Sequence, residues 1–205
     1  LFRDSEHYLG RLFDQFQKLE SNTHAEFEYF FYENDSKDET VSLLSKWMQG
    51  KNGKLHSENI NEKSHSSTME PSRVIKMAKI RNKMANLGKP VDSDFTIVID
   101  SDILFDADII NQYLNFLHLD FSMLTPNIRQ TVPCKMGSKD KTSYYDSWSL
   151  LDHDKNQCMT WSSNPFYRSE DRKLFEKNQP INVFRSFGGF VFIKSEHFNK
   201  VEWFS

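Results

Sequence analysis

Two carboxylates stand directly after a short apolar stretch in the middle of the chain. Phe95–Ile99 consists of apolar and β-branched residues, and Asp100 and Asp102 follow it at once. A run of this length with bounded ends favours a buried strand over a helix. Ligands of open α/β sheets bind just beyond the carboxyl ends of the strands. Because two neighbouring carboxylates are unfavourable without a counter-charge, we expect them to meet a hard cation such as Mg²⁺ or Mn²⁺.

A second acidic segment follows another predicted strand. Phe27–Tyr32 is rich in aromatic residues, and the acidic stretch Glu33–Thr40 comes next. One interpretation is helix capping, since Ser36 and Asp38 are good N-cap residues. Alternatively, the carboxylate of Asp35 could accept hydrogen bonds from a nucleobase N–H or a ribose hydroxyl. We favour the second interpretation because the other acidic strand end lies downstream.

A basic helix is predicted between these two acidic segments. Pro71 and Gly88 mark its ends, so that it runs from Arg73 to about Leu87. Arg73 would lie in the first turn, where a positive charge opposes the helix dipole. An anionic ligand would explain this cost, and a diphosphate fits best because arginine binds phosphate oxygens in a bidentate fork. The alternative is an ordinary solvated charged face.

The remaining patterns alternate between helices and strands, which predicts an α/β fold with a mostly parallel sheet. We expect one domain over residues 1–205. Further helices are predicted after a cap at Asp4 to about Glu20, from Ser36 or Asp38 to about Met48, and from Ile109, capped by Asp106 or Asp108, to about Leu117; His197 is expected near the start of a helix. Further strands are predicted at Leu1-Phe2, Lys54–His56, Phe121–Thr125 and Phe187–Ile193. The polar stretch 58–70 lacks periodicity and is predicted to be a mobile loop that orders over a bound ligand.

Composition excludes several classes of protein. The chain of 205 residues is 38% hydrophobic and 27% charged, with a net charge of −3, so we expect no nucleic acid as a partner. No apolar run is long enough to span a bilayer. Cys134 and Cys158 match no disulfide framework or metal spacing, which favours reduced thiols and a cytoplasmic location. Since the chain opens with Leu1 rather than Met, a membrane anchor or further domains could lie outside it. With such an anchor, a location on the lumenal side of the Golgi is the alternative.

Four motifs in a fixed order carry a family resemblance. They are ENDSKDET, R-x₇-RN, the strand that ends in DSD, and SFGGFVF. Together they resemble glycosyltransferases of the GT-A fold that use nucleotide sugars. The chain looks most like the fungal capsule-associated mannosyltransferases, and it is also similar to the amino-terminal glycosyltransferase domain of a chlorella-virus capsid-modifying protein.

This resemblance implies a fold, a reaction and a set of donor-binding residues. The fold would be a three-layer α/β/α, Rossmann-like domain with a mostly parallel central sheet. The reaction would be metal-dependent transfer of a hexose-like sugar from a UDP- or GDP-sugar to a hydroxyl of a glycan or glycoprotein, with Mn²⁺ or Mg²⁺ as cofactor. Asp102 would bind the metal directly, and Asp100 would reach the ribose or the water shell of the metal. The other donor-binding residues would be Phe2, Arg3, Glu33, Asp35, Arg73, Arg81, Ser101, Gly188 and Gly189.

The resemblance also points to an acceptor side. Tyr145 and Trp148 lie where relatives carry a Tyr-Asp-x-Trp segment near the sugars, and Asp146 is the candidate catalytic carboxylate. An inverting enzyme needs such a base, whereas a retaining enzyme need not have one. The alternative is an aromatic core with a turn aspartate. A third metal or phosphate ligand, often histidine in the family, is missing, and His197 fits a helix start better.

We compare three other hypotheses with that of a glycosyltransferase. The fold could be a catalytically inactive module that binds nucleotide sugars or glycans. A haloacid-dehalogenase phosphatase also has a strand that ends in D-x-D, but it expects Thr or Val where Leu104 stands. An EF-hand lacks support because the central Gly and the terminal Glu are missing.

Overall fold

The structure is a computed structural model that describes residues 1–61, 71–90, 92–132, 141–200 and 202. Its helices are α1 (Glu6–Asn22), α2 (Thr40–Trp47), α3 (Pro71–Leu87), α4 (Ile109–Leu114), α5 (Ser169–Glu176) and α6 (Ser195–Phe198). Its strands are β1 (Tyr29–Asn34), β2 (Gly53–Glu58), β3 (Phe95–Ile99), β4 (Met123–Leu124), β5 (Arg129–Val132), β6 (Lys141–Tyr144), β7 (Leu151–Asp152), β8 (Val183–Arg185) and β9 (Phe190–Lys194). The chain divides into a first unit, residues 1–122 with 193–205, and a second unit, residues 123–192.

Parallel pairing organises the strands at the start of the first unit. β1 and β2 are parallel, with Tyr29 opposite Gly53 and Asn34 opposite Glu58. Phe2 forms an isolated parallel bridge on the other edge of β1, where its N–H donates to the Tyr32 carbonyl at 2.8 Å. The predicted strand tail at the chain start is therefore confirmed as this bridge. Since all three segments run in one direction, their carboxyl ends lie at the same edge.

A glycine is required where β2 begins. Gly53 has a φ of 148°, and a Cβ atom on it would lie 2.0 Å from the carbonyl oxygen of Tyr29. The absent side chain lets the two backbones approach at the first pair of the parallel ladder.

An aromatic core holds α1 and α2 against these strands. Buried residues of α1 recur at helical spacing, which explains why this amphipathic segment forms a helix. The core cluster consists of Phe2, Leu9, Leu12, Phe16, Tyr29, Phe31 and Leu44. The Trp47 ring stands edge-on to Tyr29 at 4.9 Å between ring centroids and stacks with Phe31 at 5.3 Å. Ile99 of β3 and Phe105 pack on the same cluster, so the core reaches the segment that carries Asp100.

Side-chain hydrogen bonds join the start of α1 to the segment before α2. The buried Ser5 N–H donates to Oγ1 of Thr40, which is fully buried, at 2.7 Å. Asp4 N–H donates to Ser36 Oγ at 2.9 Å, and Glu6 N–H donates to Asp38 Oδ2 at 3.1 Å. The two segments thus satisfy each other's backbone groups at the point where both helices begin.

The second unit has antiparallel strand pairs and its own core. β5 pairs with β6, and β7 pairs with β8, both antiparallel. The core cluster contains Tyr144, Leu150, Cys158, Phe166 and Phe175. Cys158 is a free thiol, and its burial raises its pKa to about 11. Cys134 lies outside the described residues.

The predicted mixture of helices and strands is confirmed. The strands form several small sheets that are mostly antiparallel, and a three-layer arrangement around one mostly parallel sheet is not confirmed. The single-domain expectation stays a prediction. None of the helices in the described ranges is long and apolar enough to cross a membrane.

Several element boundaries differ from the sequence-based prediction. β1 begins and ends two residues later, so Glu33 and Asn34 belong to the strand. α1 begins at Glu6, so that Ser5 and not the predicted Asp4 is its N-cap residue, and Asp4 lies before it with a positive φ of 45°. α2 starts at Thr40 and not at the predicted caps, since the segment before it is bonded to the start of α1. α4 ends at Leu114, and β4 is only two residues long.

β9 begins at Phe190, three residues after the predicted start at Phe187, whereas the other boundaries agree with the prediction more closely. α3 and β3 cover the predicted segments, and His197 lies in the short helix α6. Within the predicted loop 58–70, Glu58 ends β2, and residues 62–70 lie outside the described residues.

The Ser5–Thr40 hydrogen bond gives a test of this packing. Thr40→Val keeps the branched shape but leaves the buried Ser5 N–H without its acceptor. We expect the free energy of unfolding to fall by about 1–3 kcal/mol in urea denaturation. Ser42→Ala, at an exposed position of the same helix, should change it by no more than about 0.5 kcal/mol. Equal stability of the two variants would contradict the proposed importance of this bond.

Candidate functional site

Polar residues from four segments meet at one edge of the first unit. The N–H of Asp35, just beyond β1, donates to the carbonyl of Glu58 at the end of β2 at 3.2 Å. The hydroxyls of Ser5 and Ser101 lie 3.3 Å apart, which brings the end of β3 to the same place. Backbone and serine contacts therefore bring the ends of β1, β2 and β3 to one region of this unit.

Asp35 is held in a defined position at this edge. Its backbone is in the left-handed region, with a φ of 56°, which aspartate tolerates better than most residues. Its Oδ1 accepts the Asn61 N–H at 2.9 Å, and its Oδ2 lies 4.0 Å from Nη1 of Arg3. Only 9% of the Asp35 side chain is exposed, against 28% for Arg3. The structure thus places two predicted donor-binding residues side by side.

Glu33 has a different environment from the other predicted site residues. It is 1% exposed, and one carboxylate oxygen accepts the Ser36 N–H at 2.8 Å. The other oxygen accepts the Ser57 hydroxyl at 2.5 Å. The carboxylate therefore holds the turn after β1 to strand β2. Direct contact of Glu33 with a ligand stays a prediction.

Asp100 and Arg81 form an ion pair at the carboxyl end of β3. Nη2 of Arg81 lies 3.3 and 3.4 Å from the two carboxylate oxygens of Asp100. Loss of hydration raises the pKa of the Asp100 carboxyl, although 32% of its side chain is exposed. The positive charge of Arg81 lowers this pKa, and the negative charge of Asp102 raises it. Arg81, a predicted anion-binding residue, and Asp100, the first carboxylate of the DSD motif, are thus in direct contact.

Asp102 is the exposed carboxylate of the DSD turn. The turn is closed by the Ile103 N–H, which donates to the Asp100 carbonyl at 3.3 Å. Arg11 of α1 donates from Nη2 to the backbone carbonyl of Asp102 at 2.9 Å, a bond that does not involve the carboxylate. Across the described ranges, no three His, Cys, Asp or Glu side chains converge as metal ligands.

Arg73 is partly exposed in the first turn of α3. No hydrogen bond or ion pair joins its guanidinium to another part of the chain that the structure describes. It precedes Arg81 by eight residues, which corresponds to about 12 Å along the helix. Its charge is thus not compensated by a described carboxylate.

A second ion pair fixes α3 to the end of β2. Lys83 donates to Glu58, and the hydroxyl of the fully buried Tyr32 donates to the same carboxylate. The hydrogen bond from Lys83, followed by that from Tyr32, holds the pKa of Glu58 below its ordinary value. α3 is therefore attached to both strand ends, at Glu58 and at Asp100.

The second unit brings Asp146 and Gly188 together. Asp146 Oδ2 accepts the Ser149 hydroxyl at 2.5 Å and the Gly188 N–H at 3.1 Å. Gly188 and Gly189 have φ values of 65° and 79°, and a Cβ on Gly188 would lie 3.1 Å from Cδ1 of Ile128. A carboxylate and a glycine pair that are distant in sequence thus form one structural motif.

The aromatic residues beside Asp146 differ in burial. Tyr144 is 4% exposed and belongs to the core, whereas Tyr145 is 40% and Trp148 is 57% exposed. The core interpretation therefore fits Tyr144 alone. Contact of Tyr145 and Trp148 with an acceptor stays a prediction.

Sequence reasoning missed the residues that connect the site segments. Ser5, Thr40 and Arg11 carry no pattern that distinguishes them from ordinary helix residues. Gln15 does: it is a polar residue on the buried face of α1, and its Nε2 donates to the Phe105 carbonyl at 2.7 Å. Its position among the apolar residues of this face is a pattern from which a buried, hydrogen-bonded side chain could have been predicted.

Comparison with known proteins identifies the family. A sequence model of the family described as Cryptococcal mannosyltransferase 1 matches residues 2–203. No curated protein and no solved structure matches the chain. The matched range includes all the residues of both units discussed above, and the named activity favours a glycosyltransferase over the phosphatase alternative. The chain belongs to the Cryptococcal mannosyltransferase 1 family and is thus a glycosyltransferase.

Proposed function

We propose that this enzyme transfers a hexose, with mannose favoured by the family, from a UDP- or GDP-sugar to a hydroxyl of a glycan or glycoprotein. The proposal includes a GT-A-like donor site and a divalent metal, Mn²⁺ or Mg²⁺. The observation that carries it is the meeting of Arg3 and Asp35 with Arg81, Asp100 and Asp102 at one edge of the first unit.

The nucleoside would bind at the ends of Phe2 and β1. Asp35 offers carboxylate oxygens to N–H or hydroxyl groups, and the partly exposed Arg3 beside it can stack on or donate to a base. Because Asp35 is already held by Asn61 and by its own backbone conformation, it loses little freedom when a ligand binds.

The diphosphate would bind between α3 and the DSD turn. Asp102 supplies an exposed carboxylate, and Asp100 lies two residues before it with Arg81 at its side. Oxygen ligands of this kind suit Mg²⁺ or Mn²⁺, which commonly use one or two carboxylates and complete their shell with water and substrate phosphates. A bound ion would neutralise charge on the departing nucleoside diphosphate. The lack of a third described protein ligand is compatible with such a shell.

Arg73 and Arg81 would add fixed positive charge. Arg81 is directed to the strand end by Asp100, and Arg73 has no described carboxylate to compete with a phosphate. In the transfer, the bond between the anomeric carbon and the phosphate oxygen breaks, a bond to the acceptor oxygen forms, and the acceptor hydroxyl loses its proton.

Asp146 would position the Gly188-Gly189 segment. Its carboxylate accepts hydrogen bonds from Ser149 and Gly188, which would fix a glycine backbone that has no side chain of its own to obstruct a sugar. A direct role of Asp146 as the base for the acceptor hydroxyl stays a prediction.

Metal dependence is tested first at Asp102. We expect wild-type protein to bind a UDP- or GDP-sugar in calorimetry only with Mn²⁺ present, and Asp102→Asn to lose that metal-dependent binding. Asp92→Asn is the matched control, because Asp92 is an exposed carboxylate that precedes β3 and so lies far from its carboxyl end. Failure of the wild type to bind any nucleotide sugar with metal would contradict the proposed function.

The phosphate role is tested at Arg73. Arg73→Ala should weaken donor binding about tenfold, or about 1.4 kcal/mol, while the melting temperature stays unchanged because the residue has no described partner. Arg73→Lys should recover only part of the affinity, since lysine lacks the bidentate fork. Lys79→Ala, at an exposed position of the same helix, should bind the donor normally. A loss that is equal in the Arg73→Ala and Lys79→Ala variants would argue for a general effect of charge.

The two roles of Asp146 give different kinetics. If it positions the glycine segment, Asp146→Asn should retain measurable transfer and the acidic limb of the pH profile, because the amide oxygen can still accept the Gly188 N–H. Asp146→Ala should lose more activity and also lower the melting temperature. Asp154→Asn is an exposed control in the same unit. Complete loss of transfer in Asp146→Asn, with an unchanged melting temperature, would instead assign the base.

A further inference from the structure

The exposed tryptophan at position 161 has an unusual backbone conformation. Its φ is 57°, in the left-handed region that bulky residues rarely adopt, and its side chain is 65% exposed. The ring therefore contributes little to the core while its backbone is strained. Strain of this kind persists only where the surroundings enforce it, and it is frequent at ligand-binding positions.

The loop that carries Trp161 is held firmly from both sides. Its ends are joined by the Met159 N–H, which donates to the Pro165 carbonyl at 2.8 Å. Within it, the Ser162 hydroxyl donates to the Asn164 carbonyl at 2.7 Å, and the buried Asn164 side chain donates to the Arg172 carbonyl of α5 at 3.2 Å. The aromatic ring is thus presented on a rigid support.

The same loop is bonded to the strand that leads to Tyr145. The Tyr144 N–H donates to the Ser162 carbonyl at 2.8 Å, so Trp161 and Tyr145 are each one residue from this bond. Standard backbone dimensions then place their Cα atoms within about 15 Å of each other. On the side of β6 that faces β5, the Tyr145 N–H donates to the Ile128 carbonyl at 2.9 Å. The side chain of Ile128 in turn lies beside Gly188.

We infer that Trp161 is a specificity-determining residue that stacks on a sugar ring of a glycan acceptor, together with Tyr145. The inference rests on the proposed function, and it names the class of acceptor. The exposed ring of Trp161 suits the C–H face of a sugar, and the partly exposed Tyr145 lies on the neighbouring segment. Tyr145 is followed by Asp146, whose carboxylate accepts the Gly188 N–H, so the glycan would extend along this part of the second unit.

Substitutions at this position separate binding from folding. Trp161→Asn removes the ring and relieves the backbone, because asparagine tolerates the left-handed region. Its melting temperature should therefore equal or exceed that of the wild type. Its KM for oligosaccharide acceptors should rise roughly tenfold, which corresponds to about 1.4 kcal/mol, while the KM for the donor stays unchanged. Trp161→Phe should keep much of the acceptor affinity.

Phe184→Ala is the matched control. Phe184 is 57% exposed in the same unit, but Lys155 lies over its ring at 4.6 Å, and among the described residues no side-chain contact joins its ring to Tyr145 or Trp161. The probes are a panel of hexose oligosaccharides that includes manno-oligosaccharides, and each protein is assayed for transfer and, separately, for glycan binding by calorimetry.

The outcomes distinguish this inference from the proposed function. Glycan binding that is weakened in Trp161→Asn, without any transfer by the wild type, would support the inference and contradict the proposed function. Transfer with an unchanged acceptor KM in Trp161→Asn would overturn the inference and leave the proposed function intact. Equal effects in Trp161→Asn and Phe184→Ala, or no glycan binding by the wild type, would also overturn it.

Discussion

The contacts of Ser5 determine whether the candidate donor site exists as a unit. Its backbone N–H is bonded to Thr40 before α2, and its hydroxyl lies beside Ser101 after β3. The same hydroxyl also donates to the carbonyl of Arg3 at 3.0 Å. Three segments that are far apart in sequence are therefore held together by the contacts of one small polar residue. Loss of these contacts would allow the segments of Asp35 and Asp100 to move apart even if every strand remained intact.

This arrangement uses polar contacts where an apolar core would be unsuitable. The aromatic cluster around Phe16 and Trp47 holds the helices against the strands, but it ends where the strands end. Beyond it, the backbone groups of the turns need partners other than water if they are to keep one geometry. Glu33, Thr40 and Asp38 supply those partners. The cost of burying Glu33 and Thr40 is offset by the hydrogen bonds that these side chains accept.

Local sequence patterns predicted the elements better than they predicted the connections between them. β3 and α3 were found because an apolar run and a helix with clear end signals are properties of adjacent residues. The predicted start of α2 is too early: Ser36 is bonded to the segment before α1, and Asp38 accepts the N–H groups of both Glu6 in α1 and Thr40 in α2. The strand pairing depends on contacts between distant residues, such as Gly53 with Tyr29, and no local pattern encodes it.

The two ion pairs of α3 have a geometric consequence. Arg81 and Lys83 are two residues apart, so their side chains leave the helix about 200° from each other. One is bonded to Asp100 and the other to Glu58, and the helix is thus restrained on two nearly opposite sides. Rotation about its own axis would break both pairs at once. The direction in which Arg73 leaves the first turn is therefore set by charges two turns away, and salt that screens these pairs would loosen the angular setting of that arginine before it unfolds the helix.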